Sequence, residues 1–148
     1  MTFRKAERAD LPEIIQMLAD DPLGAMREDL QHPEKYEKAF DVISKDSNQE
    51  LMVIENDDGE VIGTFHLTFI QYLTHQGSIR AQVESVRVRE DARGKKIGEK
   101  MFQWIFDRAK EKGAHLVQLT SDKKRADAIR FYQKLGFVDS HEGLKKML

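Results

Sequence analysis

Apolar residues in this chain recur at two spacings, and the change from one to the other marks its elements. Residues 2–6 read as a short first strand. Leu11, Ile14, Ile15 and Leu18 then fall on one helical face. Asp10 caps that predicted helix, with Pro12 in its first turn and Glu13 three residues after Asp10. The run Asp20-Asp21-Pro22-Leu23-Gly24 ends it. Residues 25–46 carry the weakest pattern, with helical stretches expected over 25–30 and 33–44. An apolar strand over 51–55, the turn Asn56-Asp57-Asp58-Gly59 and a return strand over 60–72 predict a hairpin. Gly63 inside the return strand predicts a bulge or a close backbone contact.

The next strand, over 78–89, changes phase. Ile79, Ala81 and Val83 are odd-numbered, whereas Val86 and Val88 are even. Side chains alternate faces along a strand, so one extra residue near Glu84-Ser85 is needed to keep both sets on the same side. The alternative is a strand buried on both faces, where phase has no meaning. Ile97, Met101, Trp104, Ile105 and Ala109 then form one helical stripe, predicting a helix over 95–112 stopped by Gly113. A strand over 115–120 follows. A second helix, capped by Ser121 or Asp122 and lined by Ala128, Phe131, Tyr132 and Leu135, runs to Leu135 and stops at Gly136. Phe137-Val138 and residues 143–148 read as final strands. The order predicts an α/β (α+β) chain with a mixed, mostly antiparallel sheet of about seven strands.

Composition narrows the class. The 148 residues, 40% hydrophobic and 34% charged, fit one globular domain over 1–148 rather than a disordered or fibrous chain. There is no cysteine, which excludes disulfides, thiolate metal sites and a thiol nucleophile. No apolar run approaches a membrane span and residues 1–20 lack a signal-like core, so a cytoplasmic location is expected. The net charge of −2 hides an asymmetry: residues 1–86 hold 8 basic and 17 acidic side chains, residues 87–148 hold 16 and 9. A basic half suits phosphates and an acidic half suits a cationic molecule; solvated charged faces would give the same count.

Two segments carry candidate chemistry. In Val86-Arg87-Val88-Arg89-Glu90-Asp91-Ala92-Arg93-Gly94-Lys95-Lys96-Ile97-Gly98, a strand leads through a basic, Gly-bearing loop into a helix. Unpaired N–H groups and a positive dipole end at such a helix start suit a pyrophosphate. The spacing is neither that of a Walker loop nor G-x-G-x-x-G. In Asp127–Phe137, Tyr132 lies one turn before a helix end, where its phenol can face a cleft and protonate a leaving thiolate. A buried core tyrosine is the plainer reading.

These segments, in this order, resemble the Gcn5-related N-acetyltransferase (GNAT) superfamily. Its acetyl-CoA signature, Arg/Gln-x-x-Gly-x-Gly/Ala, reads here Arg93-Gly94-Lys95-Lys96-Ile97-Gly98, with Lys96 in place of the inner glycine. Its second signature reads Arg125-x-x-Ala128-x-x-Phe131-Tyr132-x-x-x-Gly136-Phe137, with Arg125 in place of an asparagine. The resemblance implies a fold whose fourth and fifth strands splay at a bulge in the fourth, with acetyl-CoA as co-substrate in the gap. It implies that the N–H groups of Val86 and Val88 pair with the pantetheine arm and polarise the thioester. Arg87 and the segment Arg93, Gly94, Lys95, Lys96, Ile97 and Gly98 would serve the pyrophosphate side, and Arg125 would flank the pantetheine. Tyr132 would be the general acid for the departing thiolate and Glu84 the base, with His75 or water as alternatives.

The implied reaction is direct acetyl transfer to a primary amine of a small molecule, since no Gly-x-Ser-x-Gly elbow or cysteine offers a covalent route. Acidic pairs Asp20-Asp21 and Glu28-Asp29 could line a cation-attracting mouth. His32, His66, His115 and His141 lack metal-ligand spacing, so no metal is expected. A non-catalytic acyl-CoA sensor or interaction module, or a transferase acting on protein amino groups, are the alternative readings. Neither nucleic acid nor membrane is an expected partner, and a symmetric homodimer stays open.

Overall fold

Alternating apolar runs in the middle of the chain build the sheet. The computed structural model describes residues 1–148. Strands β1 (Thr2–Lys5), β2 (Gln49–Glu55), β3 (Val61–Gln71), β4 (Ile79–Val88) and β5 (Ala114–Gln118) lie side by side in the order β1-β2-β3-β4-β5. The first three pairings are antiparallel, and β4 with β5 is parallel. The helices are α1 (Leu11–Ala19), α2 (Pro22–Arg27), α3 (Glu34–Lys45), the single turn α4 (Thr74–Gly77), α5 (Ile97–Glu111) and α6 (Ala126–Lys134).

The two faces of the sheet are unlike. On one, Ile54, Phe65, Leu67, Ala81 and Val83 pack against Met101, Phe102 and Ile105 of α5. Apart from Ala81, each of these fully buried side chains contributes about 1.5–3 kcal/mol. Phe102, absent from the predicted stripe, is central: its ring meets those of Phe131, Tyr132 and Phe137 at 5.6–6.0 Å. On the other face, Thr64 and His66 of β3 look toward α1 and α3. Gly63 is both things expected of it. The β2–β3 register shifts beside it, and a Cβ there would meet Ile54 Cδ1 at 3.1 Å and the Arg87 carbonyl oxygen at 3.2 Å.

Four sequence expectations need correction. The sheet has five strands, not about seven, because residues 137–148 form none. Phe137 belongs to the end of α6 instead: its N–H donates to the Tyr132 carbonyl and Gly136 takes φ +95°, a helix-terminating arrangement that uses the group a ladder would need. Beyond it Val138, Leu144 and Met147 are exposed, so the tail has no buried face to fix a register. Helix α6 begins at Ala126 rather than after Ser121 or Asp122. Asp122 accepts from Lys124 N at 2.8 Å and its carbonyl accepts from Arg125 N, which makes a turn rather than a cap. Helix α5 begins at Ile97 rather than Lys95, because Lys96 is left-handed at φ +59°. Asp10 does precede α1, but its carboxylate is buried against Arg4 and the Glu7 N–H instead of capping α1.

Candidate active site

The phase change in β4 is a bulge. His66 pairs with Glu84 and Thr64 with Arg87, so Ser85 and Val86 together oppose Phe65 alone. Ser85 takes φ +56° to make this possible. Before the bulge Ala81 and Val83 face α5; after it Val86 and Val88 do. Glu84 and Arg87 therefore share the opposite face, the one toward α1–α3, on either side of the bulge.

Just before the bulge, β5 leaves β4. Their pairing runs from Ile79↔Ala114 to Gln82↔Gln118 and stops there. Arg89 N donates to Ile62 O on β3 at 2.8 Å. Backbone groups of successive residues point to opposite edges of a strand, so the N–H groups of Val86 and Val88 are directed into the gap left by β5. Arg87 lies across the same opening, its Nη1 donating to the Val86 carbonyl at 2.9 Å.

The loop after β4 bends over the gap's end. Arg93 Nε donates to Val88 O at 3.1 Å, and Lys96 adopts the left-handed conformation that the family's glycine would favour. Gly98 is needed for another reason: a Cβ there would lie 2.9 Å from Phe131 Cζ. The two signature segments thus touch, the first helix turn of α5 resting on the Phe131 ring of α6. Of the five cations read along 87–96, three are engaged. Arg89 holds Asp91 and Glu60, Arg93 faces Asp20 at 3.6 Å, and Arg87 faces Asp21 at 3.3 Å. Lys95 and Lys96 are exposed and form no ion pair, so they and the first N–H groups of α5 remain for an anion.

The acidic pairs of the N-terminal half meet this chain's own cations rather than forming an open mouth. Asp20 and Asp21 reach Arg93, Arg87 and, at 3.9 Å, Arg125. Glu28 faces Arg27 and the Tyr36 hydroxyl, and Asp29 faces His32 and Lys35. Burial raises Asp21's affinity for a proton, but the Gly24 N–H and the surrounding guanidiniums outweigh it and hold the carboxyl below its usual range.

Tyr132 is largely buried among Phe102, Phe131 and Phe137. Desolvation raises its phenol above the ordinary value against the opposing pull of Arg125 and Arg87, so it is a protonated donor at neutral pH. Glu84 is exposed and accepts from Gln82 Nε2 at 3.2 Å; neither Arg80 nor Arg87 pairs with it. Directly across from it stands His66, which sequence spacing passed over. Its Nε2 is 2.8 Å from Gln49 Oε1, and burial pulls it below the usual imidazole value despite Glu84 nearby, leaving it neutral. A cavity of about 120 Å³ runs from here between α1, α3 and the sheet, lined by Ile14, Leu18, Phe40, His66 and Ser85 among others. His75 is remote: it stacks on His115 at 5.4 Å at the opposite end of β4, roughly 20 Å along the strand from Ser85. No group of three or more metal-ligating side chains occurs, and no helix is long and apolar enough to cross a membrane.

The chain is similar to known proteins in sequence and in fold. An aminoalkylphosphonate N-acetyltransferase of Salmonella typhimurium is 34% identical over 91 residues, 62% of this chain and 58% of that protein. The chain spans about half the length of the curated relatives it matches. A crystal structure described as a transcriptional regulator from Bacillus halodurans superposes with a TM-score of 0.94 at 50% identity, over 99% of both chains. A predicted acetyltransferase from Clostridium acetobutylicum, crystallised with acetyl-CoA, shares the fold at 19% identity with a TM-score of 0.76, over 99% of this chain and 95% of that one. The model of the acetyltransferase (GNAT) family matches residues 11–137, which take in the first helix, the bulged strand and both signature segments; this chain belongs to that family.

Proposed function

We propose that this protein transfers the acetyl group of acetyl-CoA directly to the primary amine of a small molecule. The open edge of β4 carries the proposal, with the Val86 and Val88 N–H groups aimed into the gap and Tyr132 beside it. In that gap the pantetheine arm takes the place of a strand, and the two N–H groups hold it and polarise the thioester carbonyl. Arg93, Gly94, Lys95, Lys96, Ile97 and Gly98 receive the pyrophosphate, with Arg125 at the pantetheine side. Glu84 draws the acceptor's ammonium to the bulge and takes its proton, directly or through water. The amine nitrogen then bonds to the acetyl carbon as the carbon–sulfur bond breaks; Tyr132 delivers its proton to the thiolate, the second proton shed by the new amide nitrogen passes through water to restore the Tyr132 phenol, and Glu84 releases the first to solvent. The cavity behind Ser85 receives the acceptor's apolar part.

The test is thermal unfolding with acetyl-CoA, with ATP as control, followed by amine-dependent release of the CoA thiol. At 100 times its dissociation constant, acetyl-CoA stabilises the fold by about 2.7 kcal/mol. No shift at millimolar acetyl-CoA overturns the reading. A second reading, a non-catalytic acyl-CoA-binding regulator, draws on the description of the Bacillus halodurans relative and on Lys96 and Arg125. It predicts the thermal shift without thiol release from any amine.

A further inference from the structure

Two arginines of β4, Arg80 and Arg87, bury an Nε without a partner; Arg80 reaches the neutral Gln118, whereas Arg87 stands among charges, its Nη1 on the Val86 carbonyl. The Arg87 side chain is only 10% exposed, yet its Nε has no hydrogen-bond partner. Its nearest carboxylate oxygen, Asp21 Oδ2, is 3.3 Å away and also faces Arg125 at 3.9 Å. Both distances exceed the roughly 2.7–2.9 Å of a charge-assisted hydrogen bond. Asp21's other oxygen is taken by the Gly24 N–H at 2.5 Å. Arg27 adds a third positive charge to the same surroundings. Asp21 therefore faces three guanidiniums; Arg27 also holds Glu28 at 2.9 Å, whereas Arg87 is buried with its Nε unused. A buried guanidinium nitrogen without a partner is unfavourable, and an incoming oxyanion supplies the missing acceptor.

The position says whose oxyanion it is. Arg87 projects from the same face of β4 as Glu84, across the bulge from it, about 10 Å or less along the strand. The pyrophosphate loop has its own uncommitted cations in Lys95 and Lys96. We propose that Arg87, with Arg125 and Arg27 beside it, binds a carboxylate, phosphonate or phosphate on the acceptor. The substrates are then zwitterionic amines, with the ammonium at Glu84 and the oxyanion at the arginines. The role of Glu84 in this pairing rests on the acetyl-transfer reading above; the oxyanion site does not.

The experiment compares matched acceptors by thiol release: amino acids against their amides, and aminoalkylphosphonates against the corresponding alkylamines. The anion-bearing member of the preferred pair is expected to show kcat/KM about 50-fold higher. Arg87→Gln collapses that ratio toward one. Arg87→Lys keeps the charge but loses the fork and gives an intermediate ratio. In both variants the shift produced by acetyl-CoA reports that the fold persists. Equal rates for charged and neutral acceptors overturn the proposal. So does a ratio that survives Arg87→Gln while KM for acetyl-CoA rises, which assigns the cluster to the cofactor's phosphates. If no amine supports thiol release, inorganic phosphate is titrated into CoA-saturated protein. Binding that Arg87→Gln abolishes keeps the oxyanion site and removes only the transferase reading; no binding removes the site.

Discussion

Two arginines that join distant parts of this chain show opposite bookkeeping. Arg108 of α5 reaches the buried Glu50 of β2 through Nε at 3.0 Å and through Nη2, and its Nη1 holds Glu111 at 2.9 Å. Glu50 is 3% exposed and its pairing is complete. Arg87 is more enclosed than Arg108, yet it shares a distant carboxylate and leaves a donor idle. The surroundings differ in the same way. Ser85 and Lys96, two of the four left-handed residues other than glycine, border the β4 gap, and the orphaned Ser121 hydroxyl follows β5 beside it. The α5–β2 corner has neither feature. Where the chain needs only to stay folded, its polar groups satisfy one another. Around the open edge of β4, donors and strain are left standing, the pattern expected of a ligand site.

The comparison breaks most sharply at Tyr132. Tyr132→Phe keeps the ring that packs on Phe102 but removes the proton donor. The expected result is a fall in kcat of about 10²–10³-fold with the acetyl-CoA-induced thermal shift retained. A kcat within a few-fold of the parent would return Tyr132 to the aromatic core. On the settled side, Arg108→Ala leaves Glu50 buried and unpaired and should cost about 3 kcal/mol in denaturant unfolding. Desolvation raises the Glu50 carboxyl, but Arg108 overrides it and holds the folded-state value below the ordinary 4.5. A group depressed in the folded state contributes its full stability above about pH 4.5, and that part is lost as pH falls through the folded value. The variant should therefore lose Glu50's share of the acid limb and fall less steeply than the parent below pH 4.5, while Asp10 and Asp21, also held low, keep theirs. A loss under 1 kcal/mol, or an unchanged acid limb, would mean the two arginines do not differ as described.

The bulge was legible in the sequence because it leaves a local mark: three odd and then two even apolar positions, with no other way to keep one face buried. The signature segments were legible for the same reason, each being contiguous. What stayed hidden joins residues far apart in the chain. Nothing local says that Asp21 will meet Arg87, or that His66 will stand opposite Glu84; both follow from the β3–β4 register and the position of the α1–α2 connection. The tail misled because its apolar residues had no stated partner, and Phe137 was already committed to the end of α6. Gly98 shows the limit from the other side. As a motif residue it reads as a backbone approach to ligand, whereas its Cβ space is filled by Phe131. Gly98→Ala should thus destabilise the fold by about 2 kcal/mol in calorimetry or denaturant titration even without ligand. A stable variant defective only in acetyl-CoA binding would restore the ligand reading.

The smallest effect is expected at Lys96, where the two demands meet in one residue. A left-handed lysine costs about 1–2 kcal/mol, and glycine recovers this less about 0.5–1 kcal/mol of added chain entropy. Lys96→Gly should therefore raise stability by roughly 0.5–1 kcal/mol. The same change removes one of two uncommitted ammonium groups at the start of α5, so acetyl-CoA should bind about three-fold more weakly, with the difference shrinking in added salt. Opposite signs in the two measurements would show that the strain at Lys96 is kept for the charge it positions. A gain in stability with no loss of binding would show that the lysine adds nothing a glycine lacks. The anion site would then rest on the backbone and Lys95.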